Sequence, residues 1–349
     1  WITSRGLGDV YKRQSLDCAN CKAARNQTNL QELEEDERIR NALQIRQVVD
    51  QDGVVRKEFV IEYPIKEGVN INQLYTINNS NRSAAIKSSC NLRRKLIKEG
   101  QIDDFHLKVW EGVEKQQYVV VTDEVQQLHQ KYPESYQLIN YIVKESSAST
   151  KLRVVTNSSI YRRGGSFNEN TVKGSSMLNN SCEILYGFCA HIHAILTDIK
   201  EAYRSTKTGP QTNSLRRFFW FNNPHDENTM VELMLVVSTY GDKTAGNILA
   251  QCLNIIANDE STSYDVKKFI GNNFYVDDGL LSSDYIEKLE AISRDLPETF
   301  RRYGFTIKHV LKSYEKSKGI TNTDHMEQIL GLAYDLSLIH ISEPTRRDP

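Results

Sequence analysis

The chain has 349 residues, with 44 Lys+Arg against 45 Asp+Glu, a formal charge of −1 and a 39% hydrophobic share. That length holds about two domains with a real core, and the balanced composition excludes both a wholly disordered chain and a binder driven by a basic tail. No apolar run approaches the ~20 residues that cross a bilayer, and six cysteines are too sparse for a disulfide scaffold. An intracellular, cytoplasmic chain with no membrane partner is expected.

In chain order, the two ends come first because they are related to each other. Residues 4–14 and 336–346 can be encoded by DNA segments that are reverse complements, which implies an inverted repeat. Residues 1–14 and 336–349 therefore read as adapter-like and not native. The remainder, 15–335, reads as an internal fragment of a longer reading frame. Its first part, 15–150, opens with a Cys18-x-x-Cys21 pair, but a structural zinc site needs four ligands and the next cysteine is Cys90, so loop cysteines are expected. An acidic helical run covers 30–49, with Leu33, Ile39, Leu43 and Val48 at loosely helical spacing. A strand over 59–63 is stopped by Pro64. A basic helix over 81–100 carries Arg93, Arg94 and Lys95 on what reads as a solvated face. The best boundary is a change of texture near 144–152.

From Lys151 onward, residues 152–155 form a short strand leading into the polar turn Asn157-Ser158-Ser159. Arg162 and Arg163 sit in a basic loop with Gly164 and Gly165. Residues 194–199 read as a buried strand ending at the carboxylate Asp198, followed by helix-prone 200–204. Two apolar strands, 215–221 and 231–237, flank Asn222-Asn223-Pro224, and Tyr240-Gly241-Asp242 forms a turn before an apolar helix over 245–257. Residues 273–283 read as a β-hairpin turning at Asp277-Asp278-Gly279. An amphipathic helix over 284–303 and strand candidates at 305–307 and 329–332 complete the pass.

Two adjacent aspartates repel unless a cation compensates them. An antiparallel sheet with helices on one face could bring the end of the Asp198 strand beside that hairpin. Carboxylates so gathered suit Mg²⁺, which takes a few carboxylates plus substrate phosphates. Spacing alone favours a plain turn without metal, because Asp-Asp-Gly is common in hairpins.

The residues 274–278, Phe-Tyr-Val-Asp-Asp, resemble the YxDD box of reverse transcriptases. Residues 196–203, Leu-Thr-Asp-Ile-Lys-Glu-Ala-Tyr, resemble their first aspartate motif, residues 151–155 a fingers motif, and Tyr240-Gly241 a small loop motif. With Ile329-Leu330-Gly331-Leu332 and the region before 150, the chain is most similar to BEL/Pao long-terminal-repeat retrotransposon polyproteins. The resemblance implies an α+β, reverse transcriptase-like fingers and palm over 151–335, with a ferredoxin-like antiparallel palm sheet. It implies an RNA-directed DNA polymerase that adds dNTPs to a primer 3′-hydroxyl on an RNA or DNA template. Asp198, Asp277 and Asp278, with the Ile199 backbone, would hold two Mg²⁺ ions, with Mn²⁺ as the substitute. Arg153, Tyr203 and Tyr240 would bind the nucleotide, Tyr203 by clashing with a ribose 2′-hydroxyl. Arg162, Arg163, Arg216 and Arg217 would meet nucleic-acid backbone. The rest of the polyprotein, RNase H and integrase, would lie outside this fragment, within a retroelement particle. Two departures stand out: Asn157-Ser158-Ser159 stands where the family usually has an aspartate, and 241–246 lacks its usual Ser-Pro pair. The rival readings are an inactive relic that binds nucleic acid without catalysis, an RNA-dependent RNA polymerase, and a simple cation-binding module.

Overall fold

The computed structural model describes residues 30–49, 53–76, 78, 80–143, 152–160 and 165–314, and the backbone of three strands between 326 and 344. Cys18, Cys21, Lys151, Arg162, Arg163 and residues 1–14 lie outside the described residues.

Helix α1 (Leu30–Ala42) begins the described chain and, contrary to the expected helix over 30–49, gives way to strand β1 (Leu43–Val49). The reason is tertiary: β-branched Ile45, Val48 and Val49 favour a pleated backbone, and β2 (Val55–Ile61) supplies an antiparallel partner, with Leu43 opposite Ile61 and Val49 opposite Val55. Helices α2 (Arg82–Lys98) and α3 (Ile102–Glu114) follow, then β3 (Tyr118–Val120) and the antiparallel pair β4 (Leu138–Val143) and β5 (Leu152–Asn157). Arg94 and Lys95 of α2 are exposed as expected, but Arg93 is not. Arg93 is buried, donating from Nε to the Pro224 carbonyl at 2.6 Å and from Nη1 to Glu227 at 2.7 Å.

The second half contains α4 (Ser181–Phe188), β6 (His193–Ile199), β7 (Lys207–Thr208), β8 (Arg217–Phe221) and β9 (Met230–Leu235). It continues with α5 (Ala245–Asn258), α6 (Tyr264–Asn273), β10 (Phe274–Tyr275), β11 (Asp278–Ser283), α7 (Ile286–Arg301) and β12 (Ile307–Lys312). Three short strands end it: Met326–Ile329, Leu332–Asp335 and Ile341–Pro344.

The fold is mixed α+β with several small sheets. A four-stranded antiparallel sheet in the order β10-β11-β6-β12 is central to the site, and others run β3-β9-β8, β1-β2-β7 and β4-β5. Alternation along β6 divides its side chains between two layers. Ile195 and Ile199 pack with Leu249 and Ile256 of α5, Phe269 of α6, and Leu289 and Leu296 of α7. Ala194 and Leu196 face the other way, meeting Leu280 of β11 and Ile184 and Phe188 of α4. Packing also crosses the 144–151 segment. Trp220 and Leu233 of β8 and β9 share a cluster with Leu96 and Phe105 of α2 and α3. Buried Asp36 of α1 accepts from the Ser175 backbone N–H at 2.8 Å and from the Asn247 side chain of α5 at 2.6 Å.

Candidate active site

The carboxylates are placed by strand register. β11 runs antiparallel to β6 with Asp278 directly opposite Asp198, Gly279 opposite Thr197 and Leu280 opposite Leu196. Directly opposed residues project from the same face with Cβ atoms about 4.5–5.5 Å apart. The hairpin does not turn at Asp277-Asp278-Gly279 as expected from sequence. Tyr275 pairs with Asp278, so Val276 and Asp277 form a two-residue turn, with Val276 in the left-handed region at φ 60°. A β-branched residue disfavours that conformation; here the side chain packs partly buried against the main core. Asp277 thus occupies the tip, and its carbonyl accepts the Ile199 backbone N–H at 2.9 Å, tying the turn to the end of β6. Gly279 is a packing glycine: a Cβ there would lie 2.7 Å from the Thr197 methyl and 2.8 Å from the Phe274 ring.

Basic groups surround the pair. Lys308 of β12 places its ammonium 3.8 Å from the Asp198 carboxylate, and His309 is the register partner of Asp198 on that strand. Burial pushes the Asp198 carboxyl above the ordinary carboxylate range, opposed by the charges of Lys308, His309 and Arg153. Neither Lys308 nor His309 was singled out from sequence; the adjacent basic pair Lys308-His309 inside the apolar-flanked run 307–312 was the available signal.

A 3-10 turn, Ala202–Ser205, follows β6 and carries Tyr203. It begins after Glu201, held at φ 50° with its carboxylate accepting from Gln117 at 2.7 Å and Lys115 at 3.1 Å. The Tyr203 ring meets the Tyr240 ring edge to face, centroids 4.7 Å apart. Burial raises the pKa of both phenols, and the charge of Asp277 raises both further. Exposed Arg153 of β5 acts electrostatically on both Asp198 and Tyr240. Asp198, Asp277, Asp278, Tyr203, Tyr240 and Arg153 therefore share one neighbourhood, and the Ile199 backbone N–H is bonded to the Asp277 carbonyl within it.

An all-carboxylate donor set suits a hard divalent cation. As the side chains stand, no group of three or more His, Cys, Asp or Glu among the described residues is gathered closely enough to hold one. Mg²⁺ commonly takes one or two carboxylates with waters and substrate phosphates, and the opposed Asp198 and Asp278 meet that requirement.

The expectation that Arg216 and Arg217 contact nucleic-acid backbone is corrected. Both are essentially fully buried. Arg216 Nη1 donates to Asp242 at 2.7 Å, while Arg217 Nη1 donates to Glu232 at 2.8 Å and Gln126 at 2.6 Å. Burial on β8 and its approach pulls both guanidiniums inward, and carboxylates remote in sequence compensate them. A phosphate cannot reach either.

No family model and no curated protein matches the chain. Among solved structures, it is similar to a foamy viral protease-reverse transcriptase in complex with an RNA/DNA hybrid, at TM-score 0.46 and 12% identity, over 78% of this chain and 29% of that one. A second, the foamy viral protease-reverse transcriptase dRH in complex with double-stranded DNA, gives 0.43 and 12%, over 64% and 31%. The chain thus spans under a third of the length of these proteins. No helix among the described residues is long and apolar enough to cross a membrane.

Proposed function

We propose that the chain is the fingers–palm part of an RNA-directed DNA polymerase from a BEL/Pao-type retroelement polyprotein. The observation that carries this reading is the register pair: Asp198 and Asp278 face each other across two antiparallel strands, with Asp277 at the adjoining tip. Asp198, Asp277 and Asp278 would hold the divalent ions, Mg²⁺ or Mn²⁺, which supply charge neutralisation at the attacking and leaving oxygens of phosphoryl transfer. The chain's own groups do the positioning. Arg153 offers a guanidinium fork to triphosphate oxygens on the side of the site facing Asp198. The Tyr203 ring, braced by Tyr240, would press on the sugar and exclude a 2′-hydroxyl. Template and primer would be an RNA or DNA strand and its paired 3′ end.

Primer extension by the full chain, on RNA and DNA templates with dNTPs or rNTPs and Mg²⁺, tests this. dNTP incorporation is expected, lost in Asp198→Asn and Asp277→Asn, with rNTP use gained in Tyr203→Ala. Mn²⁺ binding followed by paramagnetic resonance should weaken in Asp198→Asn and Asp278→Asn. Extension indifferent to the aspartates, or Mn²⁺ binding unchanged by them, overturns the assignment.

A further inference from the structure

Behind the Tyr240 loop lies an ion pair that contributes no group to the chemistry above. Arg216 and Asp242 have side chains 0% exposed and meet at 2.7 Å. The Asp242 carboxylate also accepts from Ser158 Oγ at 2.5 Å, from the Tyr63 hydroxyl at 3.1 Å, and from the Thr239 backbone N–H at 3.3 Å and hydroxyl at 3.2 Å. Arg216 Nη2 donates to the Val237 carbonyl. A buried pair is weak evidence for stability, since apolar residues of similar volume often serve as well. What this one does is join three remote segments at one carboxylate: Tyr63 beyond β2, Ser158 beyond β5, and the loop 237–242.

Two of those segments carry groups of the candidate nucleotide pocket. Arg153 lies on β5, five residues before Ser158, and Tyr240 lies two residues before Asp242. The segments also touch directly. Gly241 has φ 105°, and a Cβ there would stand 2.9 Å from the Thr156 carbonyl, so the loop backbone packs close against the strand at this point. The Asn168 amide bridges both, donating to Ser159 Oγ at 2.8 Å and to the Gly241 carbonyl at 2.7 Å. A misplacement of about 1 Å in a positioning element can lower catalysis by on the order of a hundredfold, so a joint between these segments bears on the pocket without touching a substrate.

We infer that Asp242, clamped by Arg216 and linked to β5 through Ser158, is a positioning residue that fixes the Tyr240 loop against the Arg153 strand and so sets the gap between sugar and triphosphate contacts. This rests on the polymerase reading for its consequence, but the joint itself is a property of the folded chain.

Ser158→Ala is the decisive variant, because it removes one small hydroxyl and leaves the buried ion pair intact. Asp242→Asn is the stronger form and is compared wherever it folds. Backbone hydrogen exchange is measured on the full chain without nucleotide, and primer extension is run in parallel. In Ser158→Ala, exchange should speed up together at 239–242 and 152–157. The KM for dNTP should rise about tenfold, more than kcat falls, with weaker dNTP-over-rNTP discrimination. Purely structural damage would lower the active fraction, and so kcat, at constant KM and discrimination. Exchange unchanged, or raised in only one segment, overturns the joint whether or not the chain extends a primer. Coupled exchange with unchanged KM and discrimination overturns its role in the pocket. A parent chain that extends no primer overturns the polymerase reading alone, and exchange still judges the joint.

Discussion

Gly279→Ala puts the packing of the carboxylate hairpin to a quantitative test. Gly279 lies between Asp278 and Leu280 on β11, opposite Thr197 of β6. Its added methyl would approach the Thr197 methyl to 2.7 Å and two Phe274 ring carbons to 2.8 and 2.9 Å. Both neighbours are buried, and Phe274 is itself wedged against Phe269 and Phe300, with centroids 5.2 and 5.7 Å away. Neither can swing clear, so the strain falls on the β6–β11 spacing. Overpacking of this kind costs about 1–3 kcal/mol. At about 2–4 °C per kcal/mol, the scale for shorter chains of about 150–250 residues and so an upper bound for this one, the melting temperature should fall by up to about 12 °C. Gly271→Ala is the matched control. That glycine is in α6 with nothing within 4 Å of an added Cβ, so the change should stabilise by about 0.5–1 kcal/mol through helix propensity. Circular dichroism melts of the three proteins, side by side, decide the matter. A Gly279→Ala chain melting with the parent would refute the close approach and with it the account of how Asp278 is held opposite Asp198.

Other consequences follow from charge and burial away from the site. Lys108 and then Lys115 hold the Glu111 carboxyl down at about 2. A depressed acid stabilises the fold above its ordinary 4.5 and loses that contribution as pH falls through about 2. All three side chains are about one-third exposed, so solvent screening limits the effect, and Glu111→Gln should destabilise by at most about 1 kcal/mol at pH 7. Urea titrations across pH should show that difference shrinking between pH 4.5 and 2; a constant difference would exclude the ion pairs as its source. Burial pushes the Cys252 thiol up to about 12, while Cys182 and Cys189 are exposed. Iodoacetamide labelling read by mass spectrometry should modify the latter two in the native chain and Cys252 only after unfolding. Native labelling of Cys252 at the rate of Cys182 would contradict its packing.

Much of this arrangement was legible in the sequence because short-range signals agreed with long-range ones. The apolar run ending at Asp198 had one favourable placement, as a buried strand, and the residues after Asp278 had the same character. Where the two disagreed, tertiary partners decided. The β-branched residues of 43–49 only weaken a continuing helix, and pairing with β2 opposite converts the segment. An adjacent Asp-Asp-Gly reads as a turn by composition, yet cross-strand register moves the turn back to Val276-Asp277 and leaves the glycine for packing. Arg216 and Arg217 look like surface charge until Asp242 and Glu232 arrive 26 and 15 residues later. Periodicity carries no information about such partners, and so the buried joint behind Tyr240 was invisible before the fold was known.

The interleaving of the chain across 144–151 bears on how the protein is made. A chain growing from its N-terminus completes β3, α2 and α3 long before β8 and β9 exist to cover them. Until then Tyr118, Phe105 and Leu96 lack the aromatic layer of Phe218 and Trp220 that buries them in the finished fold. Burial of this layer would therefore wait until about residue 235 has left the ribosome, leaving a strand edge and an apolar helix face uncovered in the meantime. Cutting the chain between residues 143 and 152 would yield two pieces that each need the other, reassembling on mixing instead of folding singly.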